Sequence, residues 1–187
     1  MAALRNTSTR FGSVAKLLHW SLAALLIGLL GLGLYMHDLP ISPNKFELYA
    51  LHKSLGVTAL GLALLRLGWR AVDPPPGALP STPKTQIKLA KLAHSALYVC
   101  MVALPLTGWA MAAASGTPVD YFNTGILLPN LVDADNDLRT TFRTLHDIIG
   151  KLLIALILLH AGAALKHHFI DRDATLHRML PWGRVRD

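Results

Sequence analysis

The chain has 187 residues, of which 52% are hydrophobic and only 16% charged, with a mean hydropathy of +0.41. That charged share lies well below the roughly 25% of soluble domains, and the single cysteine, Cys100, excludes an intrachain disulfide, a Cys-rich zinc site, an iron–sulfur cluster held by this chain alone and C-x-x-C-H haem attachment. The net charge of +7 is read as a sign of membrane topology, not of nucleic-acid binding, because the cations fall unevenly between the two ends of the apolar runs.

Four stretches are long enough to cross a hydrocarbon core of ~30 Å, which takes ~20 helical residues. They run over residues 16–36, 48–69, 89–114 and 146–168, and predict an all-α integral membrane four-helix bundle in one domain, 1–187. The first run is too long for the apolar part of a signal peptide and carries His19 near its start, so it is expected to remain as a helix. Between the second and third, Asp73-Pro74-Pro75-Pro76-Gly77 with Pro80 and Pro83 stops one helix and forms an extended loop. In the third, Pro105 with Gly108 predicts a kink, and Cys100 reads as packing. The outer loop, residues 115–145, is too long for a mere linker and is expected to fold over one end of the bundle. Thirteen of the 18 Lys and Arg residues fall on the side of the two termini and the Pro-rich loop, against four of the 11 acids. Both termini are therefore expected to be cytoplasmic.

Five histidines lie within or at the ends of these apolar runs, where polar groups are costly and mark function by default. His146 and His160 are 14 residues apart on the fourth run, a rise of ~21 Å and a rotation ~40° short of whole turns, so they share a face at two depths. His19 is level with His160 at the inner end and His52 with His146 at the outer end. Two His–His pairs stacked across a membrane suit two bis-histidine b haems. One turn after each stands a small residue, Ala23, Gly56, Gly150 or Ala164, which leaves room for a macrocycle. His94 is followed by Tyr98 instead and is set aside as a neighbour of the ligands. Arg66, 14 residues after His52, faces the inner depth, where haem propionates or the membrane interface are its candidate partners. His37 and His177 read as surface residues and His167 and His168 as the end of the last run. Trp20, Trp69 and Trp182 read as an aromatic belt. The chain contains no P-loop, H-E-x-x-H or G-x-S-x-G motif.

The ordered set resembles the bacterial cytochrome b561 family, small four-helix dihaem membrane proteins. It comprises Leu18-His19-Trp20, Leu51-His52-Lys53-Ser54-Leu55-Gly56, Leu92-Ala93-His94-Ser95-Ala96-Leu97-Tyr98 with Ala103-Leu104-Pro105, Leu145-His146, Leu159-His160-Ala161, Leu165-Lys166-His167-His168-Phe169 and Arg178-Met179-Leu180-Pro181. The resemblance covers nearly the whole chain. It implies two non-covalent haem b groups, on His52 with His146 and on His19 with His160, in a multi-pass protein of the bacterial inner membrane. It also implies electron transfer between the periplasmic face and ubiquinone, either from superoxide as a superoxide oxidase or from a partner redox protein as the cytochrome b subunit of a dehydrogenase or hydrogenase. A haem-free transporter or scaffold is the reading outside this class. On the oxidase reading, Lys53, Arg143 and Lys151 beside the outer ligands form an entrance for the superoxide anion, and His94, Ser95 and His167 are candidates for binding the quinone.

Overall fold

The computed structural model describes residues 3–181; Trp182 of the expected aromatic belt, and Arg184 and Arg186 of the cationic side, lie outside them. Four long helices account for most of the chain: α1 (Ser13–Asp38), α2 (Pro43–Val72), α3 (Lys84–Ala114) and α4 (Asn136–Phe169). Each is long and apolar enough to span a bilayer. Consecutive helices pack on one another, and the chain is an all-α four-helix membrane bundle. Its core runs through the middle of the bundle and is small: Leu22, Leu26 and Leu29 of α1, Ala59 and Ala63 of α2, Leu97, Cys100 and Met101 of α3, and Leu153 of α4. Large apolar side chains face outward along every helix, among them Ile27, Leu64, Leu65, Val99, Leu158 and Leu159. In water this would be an aggregating surface, whereas in lipid it is the solvated one.

The helices extend past the apolar runs because local chemistry, not hydropathy, sets their ends. α2 begins at Pro43, whose ring is preset for a first helical turn, after Ser42 accepts a hydrogen bond from the Lys45 N–H. α4 begins at Asn136, well before His146, because Asp135 caps the N–H groups of Asp137 and Leu138. The outer connection therefore shortens to residues 115–135. It opens on a Schellman turn, with Gly116 at φ +71° and the Gly116 and Thr117 N–H groups on the carbonyls of Ala113 and Ala112. The connection then folds back over α2. The fully buried Ser54 hydroxyl accepts from the Phe122 N–H, and Thr58 bonds the Tyr121 hydroxyl. Trp109 donates to the Pro129 carbonyl, and the Asp135 N–H returns to the Ala114 carbonyl.

At the opposite end three segments without regular structure are sewn together. The buried Arg178 guanidinium donates to the carbonyls of Thr9 (2.6 Å) and Gly77 (3.0 Å). Asn6 reaches Asp73 and Pro74, while Lys16 and Trp20 of α1 donate to the carbonyls of Leu180 and Met179. Hydrogen bonds from a charged donor are worth about 1.5–3 kcal/mol each. Arg178→Ala is therefore expected to lower the thermal unfolding midpoint of the detergent-solubilised protein and to expose residues 73–83 to protease; an unchanged midpoint and digestion pattern would show that the cap carries no stability.

Candidate functional site

The bundle brings the histidines of the apolar runs together in two places. His52 of α2 faces His146 of α4 with ring centres 6.4 Å apart and planes at 75°. His19 of α1 faces His160 of α4 with ring centres 6.3 Å apart and planes at 69°. These spacings have a direct chemical meaning. With metal–nitrogen bonds of about 2.0–2.1 Å and each ring centre about 1.1 Å behind its nitrogen, two imidazoles on opposite sides of one metal ion have centres about 6.3 Å apart. Among the described residues neither pair belongs to a group of three or more His, Cys, Asp or Glu side chains with their ligand atoms close together, as a tetrahedral zinc site requires. The donor set and its spacing suit an iron bound from both faces, as in a bis-histidine haem.

His94 is the informative comparison. Its ring centre lies 5.4 Å from that of His160, too short for the two rings to stand on opposite sides of one metal ion. The structure thus brings His94 to the inner pair as a neighbour, leaving His19 at the spacing a ligand needs.

The His52/His146 site is held by features that lie outside the ligand spacing. The His146 Nδ1 is 3.0 Å from the Leu104 carbonyl and 3.3 Å from the Thr107 hydroxyl, which itself donates to Leu104 at 2.7 Å. A carbonyl only accepts, so Nδ1 carries the proton and the Nε2 lone pair is left for a ligand bond. Two glycines on neighbouring helices admit the rings. A Cβ on Gly108 would stand 3.0 Å from His146 Cε1, and one on Gly33 would stand 3.4 Å from His52 Cε1. The i+4 small residues behave differently: a Cβ on Gly56 meets nothing within 4 Å, and one on Gly150 only Leu104 at 3.8 Å. Gly33 and the positioning role of Gly108 escape a reading along single helices, because the contacts cross from α1 to α2 and from α3 to α4.

At the other pair, Arg66 is half-buried and its Nε donates at 3.0 Å to the hydroxyl of Tyr98, which stands one turn after His94 on α3. Its buried Nη1 has no hydrogen-bond partner, nor does the buried Nε1 of Trp69 one turn on. A buried guanidinium with an unpaired N–H calls for an anion, which a haem propionate would supply. Trp69 is thus drawn inward, away from the belt role expected of it.

The remaining candidates are spread more widely. Lys53 is half-buried beside His52 without an ion pair or hydrogen bond among the described residues. Arg143 is exposed on α4 one turn before His146, and Lys151 is exposed and paired with Asp147 at 2.7 Å. Ser95 is exposed, next to His94 in sequence but without a side-chain hydrogen bond to it. His167 is half-buried and bonded to Asp173 at 2.7 Å and to Asp171 at 3.1 Å. Burial raises the Asp173 carboxyl, but hydrogen bonds from Thr175 and His167, with the His167 charge, outweigh it and hold it below the usual carboxylate range. His177 is half-buried, 5.0 Å from the His168 ring, where the sequence suggests a surface residue. His37 is exposed and paired with Asp38.

Comparison with known proteins follows the same lines. A family model described as prokaryotic cytochrome b561 matches residues 10–182. The chain is 35% identical over 178 residues to cytochrome b561 homolog 2 of Escherichia coli (strain K12), covering 94% of this chain and 93% of that one. It is 34% identical over 130 residues to cytochrome b561 homolog 1 of the same organism, covering 70% and 73%. A protein of Yersinia pestis named probable superoxide oxidase CybB is 30% identical over 145 residues, covering 76% of this chain and 81% of that one.

Proposed function

Because the chain belongs to the prokaryotic cytochrome b561 family of membrane electron-transfer proteins, we propose that it holds two haem b groups and oxidises superoxide at the periplasmic face while reducing ubiquinone at the cytoplasmic one. The observation that carries this reading is the pair of imidazole spacings, 6.4 and 6.3 Å, at the two ends of α4. His52 with His146 hold the outer group, and His19 with His160 the inner. The likeness to a protein named as a superoxide oxidase supports the choice of donor. The distribution of Lys and Arg supports both termini lying in the cytoplasm of a bacterial inner-membrane protein.

When bound, haem b would supply one-electron redox chemistry, held by His52 with His146 and by His19 with His160. The overall reaction balances as two superoxide anions each giving up one electron to become dioxygen, and one quinone taking two electrons and two protons to become the quinol. The chain's work is to attract the anion, hold the two groups and deliver protons. Lys53, next to His52 in sequence, and Arg143 and Lys151, before and after His146 on α4, offer positive charge at the outer end. At the inner end His94, together with Ser95 and the His167–Asp173 pair, supplies groups able to hydrogen-bond a quinone carbonyl and to hold a proton on a ring nitrogen. Arg66 holds an inner propionate.

The test is a pyridine haemochrome assay on the detergent-purified chain, followed by addition of superoxide with and without ubiquinone. Two haems per chain that superoxide reduces and quinone reoxidises support the reading. Two haems that ignore superoxide replace it with a subunit fed by a partner protein, and a colourless chain ends it. His94→Ala is expected to keep both haems and to slow quinone reduction by about 10²-fold, the usual loss for a positioned proton donor. A haem lost from this variant would make His94 a ligand.

A further inference from the structure

The two histidine pairs are alike in spacing but unlike in what stands behind them. Of the four paired histidines, His146 alone has a ring nitrogen hydrogen-bonded by a described residue. His52 Nδ1 is buried without a partner, and no hydrogen bond reaches His19 or His160 from any described residue. A histidine that donates its second N–H to a carbonyl becomes a stronger electron donor to the metal, which favours the oxidised iron. The opposite influence stands at the other end. The half-buried Arg66, its Nη1 without a partner among the described residues, donates to Tyr98, which stands one turn after His94, whose ring centre is 5.4 Å from that of His160; a positive charge at that depth favours the reduced iron, which carries one charge fewer.

We infer that the chain builds a downhill electron step into its own residues: the Leu104 carbonyl, held by Thr107 and given access by Gly108, sets the His52/His146 group at the lower potential, and Arg66 sets the His19/His160 group at the higher. This rests on the proposal that both pairs hold haem, and it adds to it an order of potentials and the positioning residues that produce it. Two features on different helices push the same way. An electron arriving at the outer pair then moves inward spontaneously and is held there until a second arrives for the quinone. Gly108 has a specific part in this. Its missing side chain lets the His146 ring come within 3.0 Å of the Leu104 oxygen, since a Cβ would stand 3.2 Å from Nδ1 itself. Gly33 provides the matching control, because its Cβ would touch only His52 Cε1, on a ring whose Nδ1 makes no hydrogen bond.

The experiment is a spectroelectrochemical titration of the full-length, haem-loaded protein in detergent, following the absorbance of both groups. His160→Ala, which keeps only the outer group, identifies the outer midpoint. The wild type is expected to show two midpoints, the outer lower by at least tenfold in the reduction equilibrium, or 59 mV for one electron. Gly108→Ala is expected to raise the outer midpoint by about threefold in that equilibrium and leave the inner in place, while Gly33→Ala moves neither. Arg66→Gln is expected to lower the inner midpoint alone, and Arg66→Lys to restore it. If Gly108→Ala binds only one haem, the wild-type order and the Arg66 pair still decide. Coincident or reversed midpoints in the wild type overturn the inference, as do equal shifts from the two glycine variants. A protein without a haem spectrum overturns the reading beneath it instead, so the two failures are distinguishable.

Discussion

Replacing His160 by alanine is expected to take the haem content from two groups per chain to one, with the survivor keeping the six-coordinate spectrum of a bis-histidine site. The argument is geometric. Among the described residues His160 is the sole histidine whose ring centre stands 6.3 Å from that of His19, so its loss would leave His19 without the partner that a bis-histidine site needs. His146 lies 14 residues away on the same helix, ~21 Å along the axis, and its own partner and its bond to Leu104 are untouched. His94 is the one residue that could mask the effect, since its ring is 5.4 Å from that of His160 and on the same side of the bundle. The double variant His94→Ala with His160→Ala is therefore measured beside the single one, and both are expected to hold one haem by pyridine haemochrome. Two haems in His160→Ala and one in the double variant would move the inner ligand role to His94. Two haems in both would end the pairing of His19 with His160.

Most of this architecture is legible in the sequence because a bilayer imposes simple rules. An apolar run of the right length has to be helical, and the four runs are all helices. The pairing of ligand candidates needs only the rise and twist of one helix, which fix His146 and His160 on a common face. What stays hidden is whatever depends on contact between helices. The residues 136–145 at the start of α4 carry Asp137, Arg139 and Arg143 and break the apolar pattern, so hydropathy stops at His146, while the Asp135 cap carries the helix ten residues further out. Gly33 and Gly108 look like any other membrane glycines until the ring that each one admits is seen across the interface. Arg178 is visible only as part of a motif, and its bonds to Thr9 and Gly77 join segments more than 100 positions apart. Trp69 shows the opposite error, in which a residue type that commonly marks the interface has its indole N–H buried.

Reversing the charge at Lys53 is expected to slow the reaction with superoxide by about tenfold at low ionic strength, more than reversing any other single charge at the outer end. Three cations stand near the His52/His146 pair, but their surroundings differ. Lys151 is exposed and already neutralised by Asp147 at 2.7 Å, and such surface pairs present little net field to an approaching anion. Arg143 is exposed on the first turns of α4 and is screened by solvent ions. Lys53 follows His52 directly, is half-buried, and has no carboxylate or carbonyl among the described residues to share its charge. A charge in that setting is weakly screened and close to the ligand pair, so it contributes most to guiding an anion. Lys53→Glu is therefore expected to keep two haems, to lower the superoxide rate about tenfold and to invert its dependence on salt, so that added salt speeds the variant where it slows the wild type. Lys151→Ala is expected to change the rate less than twofold, because the Asp147 carboxylate it leaves unpaired is exposed and screened by solvent ions. The comparison is made by stopped-flow reduction of the haem bands at two ionic strengths. Equal effects from Lys53→Glu and Lys151→Ala would show that only the summed charge of the outer face matters. No effect from either would place the entry of the anion elsewhere.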